Sequence, residues 1–367
     1  MSEDENATLW IEPRCRPLPI TDYGTRDFPE QMVVTGDDRL LQVTGNACRT
    51  SADDGVTWSA PVPMTDGSEP GVPQQGAMVR TRDGDIVLTY GDSTTYRWGW
   101  DETTNEPDPD VRCDVWSIRS ADEGRTWTDR QPIFLGFCGA VTDIIQTRAG
   151  NLVTPVQHLW RDPARHVQFT CVSTDGGRSW RQSSIIDLGG HGHHDGVCEG
   201  TVAELSDGRL LMLLRTSLDR FWEAWSDDGG LSWREIRPSP IDASSAPGYL
   251  LGLESGRLAL VWNRLYPQGE DSYIRVALPW AERPMSVHRE ELSLAFSDDD
   301  GRSWSEPVVI GRMRADRVTY PYGRLCYPYM VERRPGEIWI VTTHNRPRPP
   351  GTPLAVSVRE RDFVPAR

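Results

Sequence analysis

The chain has 367 residues, 54 of them acidic against 39 Lys and Arg, for a formal net charge of −15. Such a charge disfavours nucleic acid and anionic membrane as partners, and any electropositive pocket must be built from particular arginines. Seven unpatterned cysteines, an acidic start at Met1–Asn6 with no apolar leader and no 18-residue apolar run lead to the expectation of a reduced, cytoplasmic protein.

In chain order, a polar lead-in (Met1–Ile11) passes into a proline-rich stretch, Pro13–Pro19. A strand is expected at Leu9–Ile11 or Ile20, completing the last structural unit, so that residues 1–27 form the lead-in and 28–367 one domain. Unit one spans about Phe28–Val62. Unit two starts near Gln74 and carries an insertion, Ser93–Val111, whose Tyr96, Trp98 and Trp100 suit either packing or stacking on sugar. Unit three runs from about Ala140 to Arg181. A Gly/His loop, Gly189–Gly196, leads into unit four at Cys198. Unit five begins near Pro247 and holds the insertion Tyr266–His288; unit six covers Tyr327–Phe363.

Units are recognised by two recurring signals. Ser-x-Asp-x-Gly-x-Ser/Thr-Trp occurs five times, at Ser51–Trp58, Ser120–Trp127, Ser173–Trp180, Ser226–Trp233 and Ser297–Trp304. A turn followed by an apolar run recurs at Leu40, Ile86, Leu152, Leu210, Leu258 and Ile338. Each run is short and continuous, as in a strand buried on both faces. A four-stranded unit needs about 40–50 residues, and repeats of that period signal propellers or solenoids. Six blades with two long insertions fit the length.

Rotation about a propeller axis makes equivalent positions into rings. Glu199, Tyr327 and Gln75 each lie nine residues before a turn glycine, and Asp143 and Glu30 fall near the same place in units three and one. Arg215 and Asn263 each lie seven residues after one; Asp92, His158 and His344 fall one step further. Both rings should open on one mouth of the channel, where polar residues are not needed by the sheets.

The eight-residue motif is the Asp-box, and six units with it resemble the sialidase (neuraminidase) superfamily. The resemblance implies an all-β fold: a six-bladed β-propeller of four-stranded antiparallel blades. The Asp-box itself ties a β-turn and identifies the fold, not the site. Several ring residues match the family's functional pattern. Glu199 begins a strand, as does the family glutamate that pairs with the nucleophile. Arg215 and Arg289 match two arginines of its carboxylate-binding triad. Tyr327, in Cys326-Tyr327-Pro328-Tyr329, matches its nucleophilic tyrosine. The chemistry is coherent: guanidinium forks bind carboxylates, and a neutral phenol attacks an anomeric centre bearing a carboxylate without charge repulsion.

The pattern departs from the family twice. The place of the first triad arginine reads Arg26-Asp27-Phe28-Pro29-Glu30-Gln31, with Arg26 out of register. The loop expected to hold the general acid, Thr44–Arg49, has no carboxylate. Asp92, Asp143 or His194 is left as the acid.

The resemblance implies a retaining exo-glycosidase for a terminal acidic sugar, with Tyr327 as nucleophile, Glu199 as its base, and Arg215 and Arg289 on the carboxylate; the ring positions add Asp92, His158, Asn263, Gln75 and Glu30 around the substrate. Two alternatives stand beside it: a hydrolase or lyase for a uronic acid or deoxysugar glycoside using His194, His158 or Asp143, and a non-catalytic carbohydrate-binding propeller. The Gly/His loop (His191, His193, His194, Asp195) lacks the ligand spacing of a metal site. A small glycoside is expected as partner; no metal, cofactor, nucleic acid or membrane is expected, and an oligomer is left open.

Overall fold

A computed structural model of the chain describes residues 8–20, 31–65, 73–278, 281–314, 325–344 and 354–365. Six antiparallel sheets stand around a central channel, their strands running outward in sequence order except for the N-terminal strands at the outer edges of blades five and six. Blade one is Met32–Val34, Leu40–Thr44, Ala47–Ser51 and Val62–Pro63; blade two is Pro73–Arg80, Ile86–Asp92, Val115–Ser120 and Thr128–Phe134. Blade three is Ile145–Gln146, Leu152–Trp160, Arg165–Ser173 and Arg181–Gln182; blade four is Cys198–Glu204, Leu210–Arg215, Arg220–Ser226 and Arg234–Asp242. Blade five holds Tyr249–Gly252, Leu258–Trp262, Glu291–Ser297 and Val308–Arg314, and blade six Leu325–Arg334, Glu337–His344 and Leu354–Arg359. The fold is thus the expected six-bladed β-propeller. Among the described residues the one helical element is a short turn, Glu360–Asp362, and no helix is long and apolar enough to cross a membrane.

The second strands carry much of the core. Leu210–Arg215 and Ile86–Asp92 are buried at every position, as their unbroken apolar runs require, because blades pack on both of their faces. The N-terminal segment closes the ring in an unexpected way. Thr8–Ile11 does not complete the last blade; it pairs with Val308–Arg314 as a fifth strand of blade five. A turn closed by Cys15 N–H on the Glu12 carbonyl (2.8 Å) then carries the chain across, and Arg16–Pro17 becomes the outermost strand of blade six.

The five Ser-x-Asp-x-Gly repeats form one structure. In the blade-four copy Ser226 Oγ donates to Asp228 Oδ1 (2.9 Å) and accepts from Gly230 N–H (2.9 Å), while Asp228 also takes the Ser232 N–H (2.8 Å) and hydroxyl (2.5 Å). Gly230 has φ +93°, and a Cβ there would lie 2.9 Å from Val153 Cγ1, so glycine is needed twice over. These turns follow the third strand. By alternation they lie at one end of the propeller. The starts of the first strands, the ends of the second, both long insertions and the Gly/His loop gather at the other.

Candidate active site

The site forms where two innermost strands break register in the same way. In blade four Cys198 pairs with Arg215 and the next pair is Thr201 with Leu213, so Glu199 and Gly200 bulge out. In blade six Cys326 pairs with Thr343 and the next pair is Tyr329 with Val341, so Tyr327 and Pro328 bulge. Glu199 has φ +48° and Tyr327 φ +54°, a left-handed backbone that neither residue type favours. Such strain persists only where surrounding contacts over-determine it, and it concentrates at functional sites. The bulges turn both side chains to a common point. Tyr327 Oη donates to Glu199 Oε1 at 2.8 Å.

Arg215 ends the second strand beside Glu199. Its Nη1 donates to Glu199 Oε2 (2.5 Å) and lies 3.3 Å from Tyr327 Oη, while its Nε and Nη2 lie 3.3 Å from Ser245 Oγ. Arg289 enters from the link before the third strand of blade five. Its Nη2 donates to the Ser245 carbonyl (2.6 Å), and its guanidinium carbon stands 5.9 Å from the Tyr327 ring centre. The neighbouring acids are occupied elsewhere: Glu290 by His288 (2.6 Å) and Glu291 by Arg312 (2.5 Å). Two arginines therefore stand against one glutamate and a neutral phenol, a net positive cluster in a chain of net charge −15.

Electrostatics keep each proton in place. Burial and then the Glu199 charge push the Tyr327 phenol above its ordinary value, against the pull of Arg215 and Arg289. Burial works against the Arg215 charge, but its neighbours, Glu199 foremost, together outweigh it and hold the guanidinium protonated. Next to this cluster lies a wall of imidazoles. His193 sits 4.5 Å from His194, 5.5 Å from His166 and 4.5 Å from Trp98, between ring centres. Burial and the positive charge of Arg215 lower all three histidines, His166 and His193 to about 3. They stand as neutral rings at pH 7. Burial also pushes the Cys198 thiol up to about 12, so it is no nucleophile.

The structure thus gathers Glu199, Tyr327, Arg215 and Arg289, with His194 close enough to both arginines to feel their charge. The other candidates are held within the blades. Asp143 Oδ2 accepts from Thr201 Oγ1 (2.9 Å) and Val202 N–H (2.8 Å), and burial raises its carboxyl to about 7. Asn263 spends its amide on the carbonyls of Glu291 and Leu325 (2.7 Å each). His158 Nδ1 accepts from Phe137 N–H (3.4 Å) and packs on Phe134. Buried Asp92 binds Thr94 through Oδ1 (2.9 and 2.8 Å), and its Oδ2 has no partner among the described residues. Glu30, and the side chains of Gln75 and His344, lie outside the described residues.

Sequence reasoning passed over Ser245, His166 and Gln157. Gln157 Oε1 accepts the Glu199 N–H at 2.9 Å. A signal for it existed: Gln157 lies seven residues after Gly150, the same count that marks Arg215 and Asn263. No comparable signal marked Ser245 or His166. No group of three or more His, Cys, Asp or Glu among the described residues is placed to hold a metal.

The fold is a propeller of the sialidase type. The chain belongs to the family of the BNR repeat-like domain, whose pattern matches residues 47–340. It is similar to a sialidase of Clostridium perfringens, 26% identical over 244 residues, a match covering 57% of this chain and 61% of that protein. The chain thus spans about three fifths of the length of the curated relative it matches. Solved structures share the fold. A Dyadobacter fermentans protein of unknown function is 16% identical with a TM-score of 0.63, over 94% of this chain and 99% of that one. The NanB sialidase of Streptococcus pneumoniae is 12% identical with a TM-score of 0.61, over 96% and 71%. The sialidase of Trypanosoma rangeli is 14% identical with a TM-score of 0.55, over 98% and 58%.

Proposed function

We propose that the protein is a retaining exo-glycoside hydrolase for a terminal acidic sugar, of the sialidase kind, with Asp-box turns as its scaffold. The observation that carries this reading is the hydrogen bond from Tyr327 Oη to Glu199 Oε1 (2.8 Å) beside the Arg215 guanidinium. The similarity to a sialidase supports it. Arg215 and Arg289 receive the substrate carboxylate. Glu199 takes the phenol proton as Tyr327 Oη attacks the anomeric carbon and the bond to the aglycone breaks, the aglycone leaving as its oxyanion. Water then adds its hydroxyl to the anomeric carbon as the glycosyl–tyrosine bond breaks; Tyr327 takes back its proton from Glu199, and the proton of the water passes through solvent to the aglycone oxyanion. The neutral phenol avoids repulsion with the carboxylate on the reacting carbon. A small imported glycoside handled in the cytoplasm fits this role.

The test is release of the aryl group from an aryl α-sialoside by wild type, Tyr327→Phe and Glu199→Gln, with circular dichroism to check folding. Turnover that both substitutions abolish supports the assignment; none by wild type sinks it. A second reading, a uronate lyase, needs a base that removes a proton next to a carboxylate; His194 stands near both guanidinium groups, but burial and its neighbours push its imidazole well below the ordinary value and make it a weak one. Appearance of an unsaturated uronate product, lost in His194→Gln, would select that reading.

A further inference from the structure

The two strained bulges are held from outside their own blades. Glu199 gives its N–H to Gln157 Oε1 (2.9 Å) and Gly200 gives its N–H to Gln168 Oε1 (3.2 Å), both from blade three. Thr142 Oγ1 donates to the Gly200 carbonyl (3.0 Å). In blade six, Pro328 stands where Gly200 stands in blade four, so no N–H needs an acceptor there. The strand of Tyr327 is instead held at the Leu325 carbonyl by Asn263 Nδ2 of blade five (2.7 Å).

These contacts share a geometry. Gln157, Arg215 and Asn263 each lie seven residues after the turn glycine of their blade, and each reaches forward to the next blade or its lead-in strand. Only Arg215 also touches both members of the reacting pair. Gln157 and Asn263 are buried, 4% and 1% exposed, and their described bonds go to backbone.

We propose that Gln157 and Asn263 are positioning residues that clamp the bulges of Glu199 and Tyr327 from the preceding blades and so set the hydrogen bond between them. The proposal rests on the glycosidase reading for its kinetic consequence, but not for its structural one. A glutamate in left-handed backbone lies in a sparsely populated well. Without an acceptor for its N–H, Glu199 relaxes toward extended backbone, and its carboxylate leaves the Tyr327 hydroxyl. An error of about 1 Å in such a pair costs about 100-fold in rate.

The test uses Gln157→Met, which keeps length but loses the acceptor, Gln157→Glu, which keeps an oxygen acceptor, and Asn263→Asp, which keeps shape but loses the donor. The expected result with an aryl α-sialoside is a fall of about 100-fold in kcat for Gln157→Met and Asn263→Asp, with KM within about threefold and most of the loss recovered in Gln157→Glu. A crystal structure of Gln157→Met should show Glu199 out of the left-handed region and the 2.8 Å bond broken. Equal losses in Gln157→Met and Gln157→Glu that follow the melting temperature would mean plain structural support and overturn the proposal. So would an unmoved Glu199, whatever the rate. If wild type cleaves no sialoside, the glycosidase reading fails, and the position of Glu199 in the Gln157→Met crystal alone decides the clamp.

Discussion

Tyr327 and Glu199 are 128 residues apart in sequence, yet the phenol hydroxyl donates to the carboxylate at 2.8 Å. Each sits at the same bulged position of its own blade, and the propeller's rotation brings the two positions across the channel mouth. Tyr327→Phe removes the oxygen that attacks in the proposed mechanism and little else. Turnover should fall by at least about 10³-fold, while stability changes by about 1 kcal/mol or less, because Glu199 keeps Arg215. Kinetics on the aryl sialoside beside a denaturant melt reads both.

The Arg215–Glu199 ion pair is buried, with side chains 6% and 7% exposed. Arg215→Met leaves a buried carboxylate without its partner and should destabilise the fold by about 3–5 kcal/mol. Glu199→Gln leaves the guanidinium in the same position. The double variant should be markedly less unstable than the two single losses added together, and urea unfolding of all four proteins measures that coupling.

Acid should act through the imidazole wall. His166 and His193 have folded values near 3, below the ordinary 6.5, so the folded state resists their protonation. Their contribution to stability is complete above about pH 6.5 and is lost as pH falls toward 3, at about 1.4 kcal/mol per unit for each ring. Asp143 has the opposite sign. Its carboxyl is raised from 3.8 to about 7, so stability declines as pH rises across that interval. Unfolding free energy against pH should steepen on the acid side in wild type and flatten in His193→Gln. Asp143→Asn should remove the decline between pH 4 and 7.

The Ser226–Trp233 turn lies at the end of the propeller away from Tyr327. Asp228→Ala strands two backbone N–H groups and two hydroxyls and should cost about 2 kcal/mol. KM and kcat below the melting range should not change. A shift in KM would mean that the turn communicates with the pocket.

Much of the fold was legible because its repeat is local. Ser226, Asp228, Gly230 and Ser232 bond one another within seven residues, and the apolar run Leu210–Leu214 declares a strand buried on both faces. Glu199, Arg215 and Tyr327 could be located because rotation turns a count from a glycine into a place on the rim. The count also reached Gln157, but its neutral amide drew less notice than the adjacent His158. Ser245 and His166 act through partners in other segments, and nothing in their own neighbourhood announces that. The destination of Leu9–Ile11 was illegible for a related reason: an apolar edge strand fits either of two neighbouring blades, and the turn at Glu12–Cys15 decides.

The seam of the ring has a consequence for biogenesis. Arg16 pairs with Ser357, so two of the earliest residues wait for the last sheet before they find a partner. Until Thr8–Ile11 and Arg16–Pro17 dock, Val308–Arg314 and Leu354–Arg359 present open edges, the surfaces on which incomplete β-sheets recruit other chains. Both pairings join residues far apart in sequence, the kind of contact that is slow to close and leaves edges exposed while it forms.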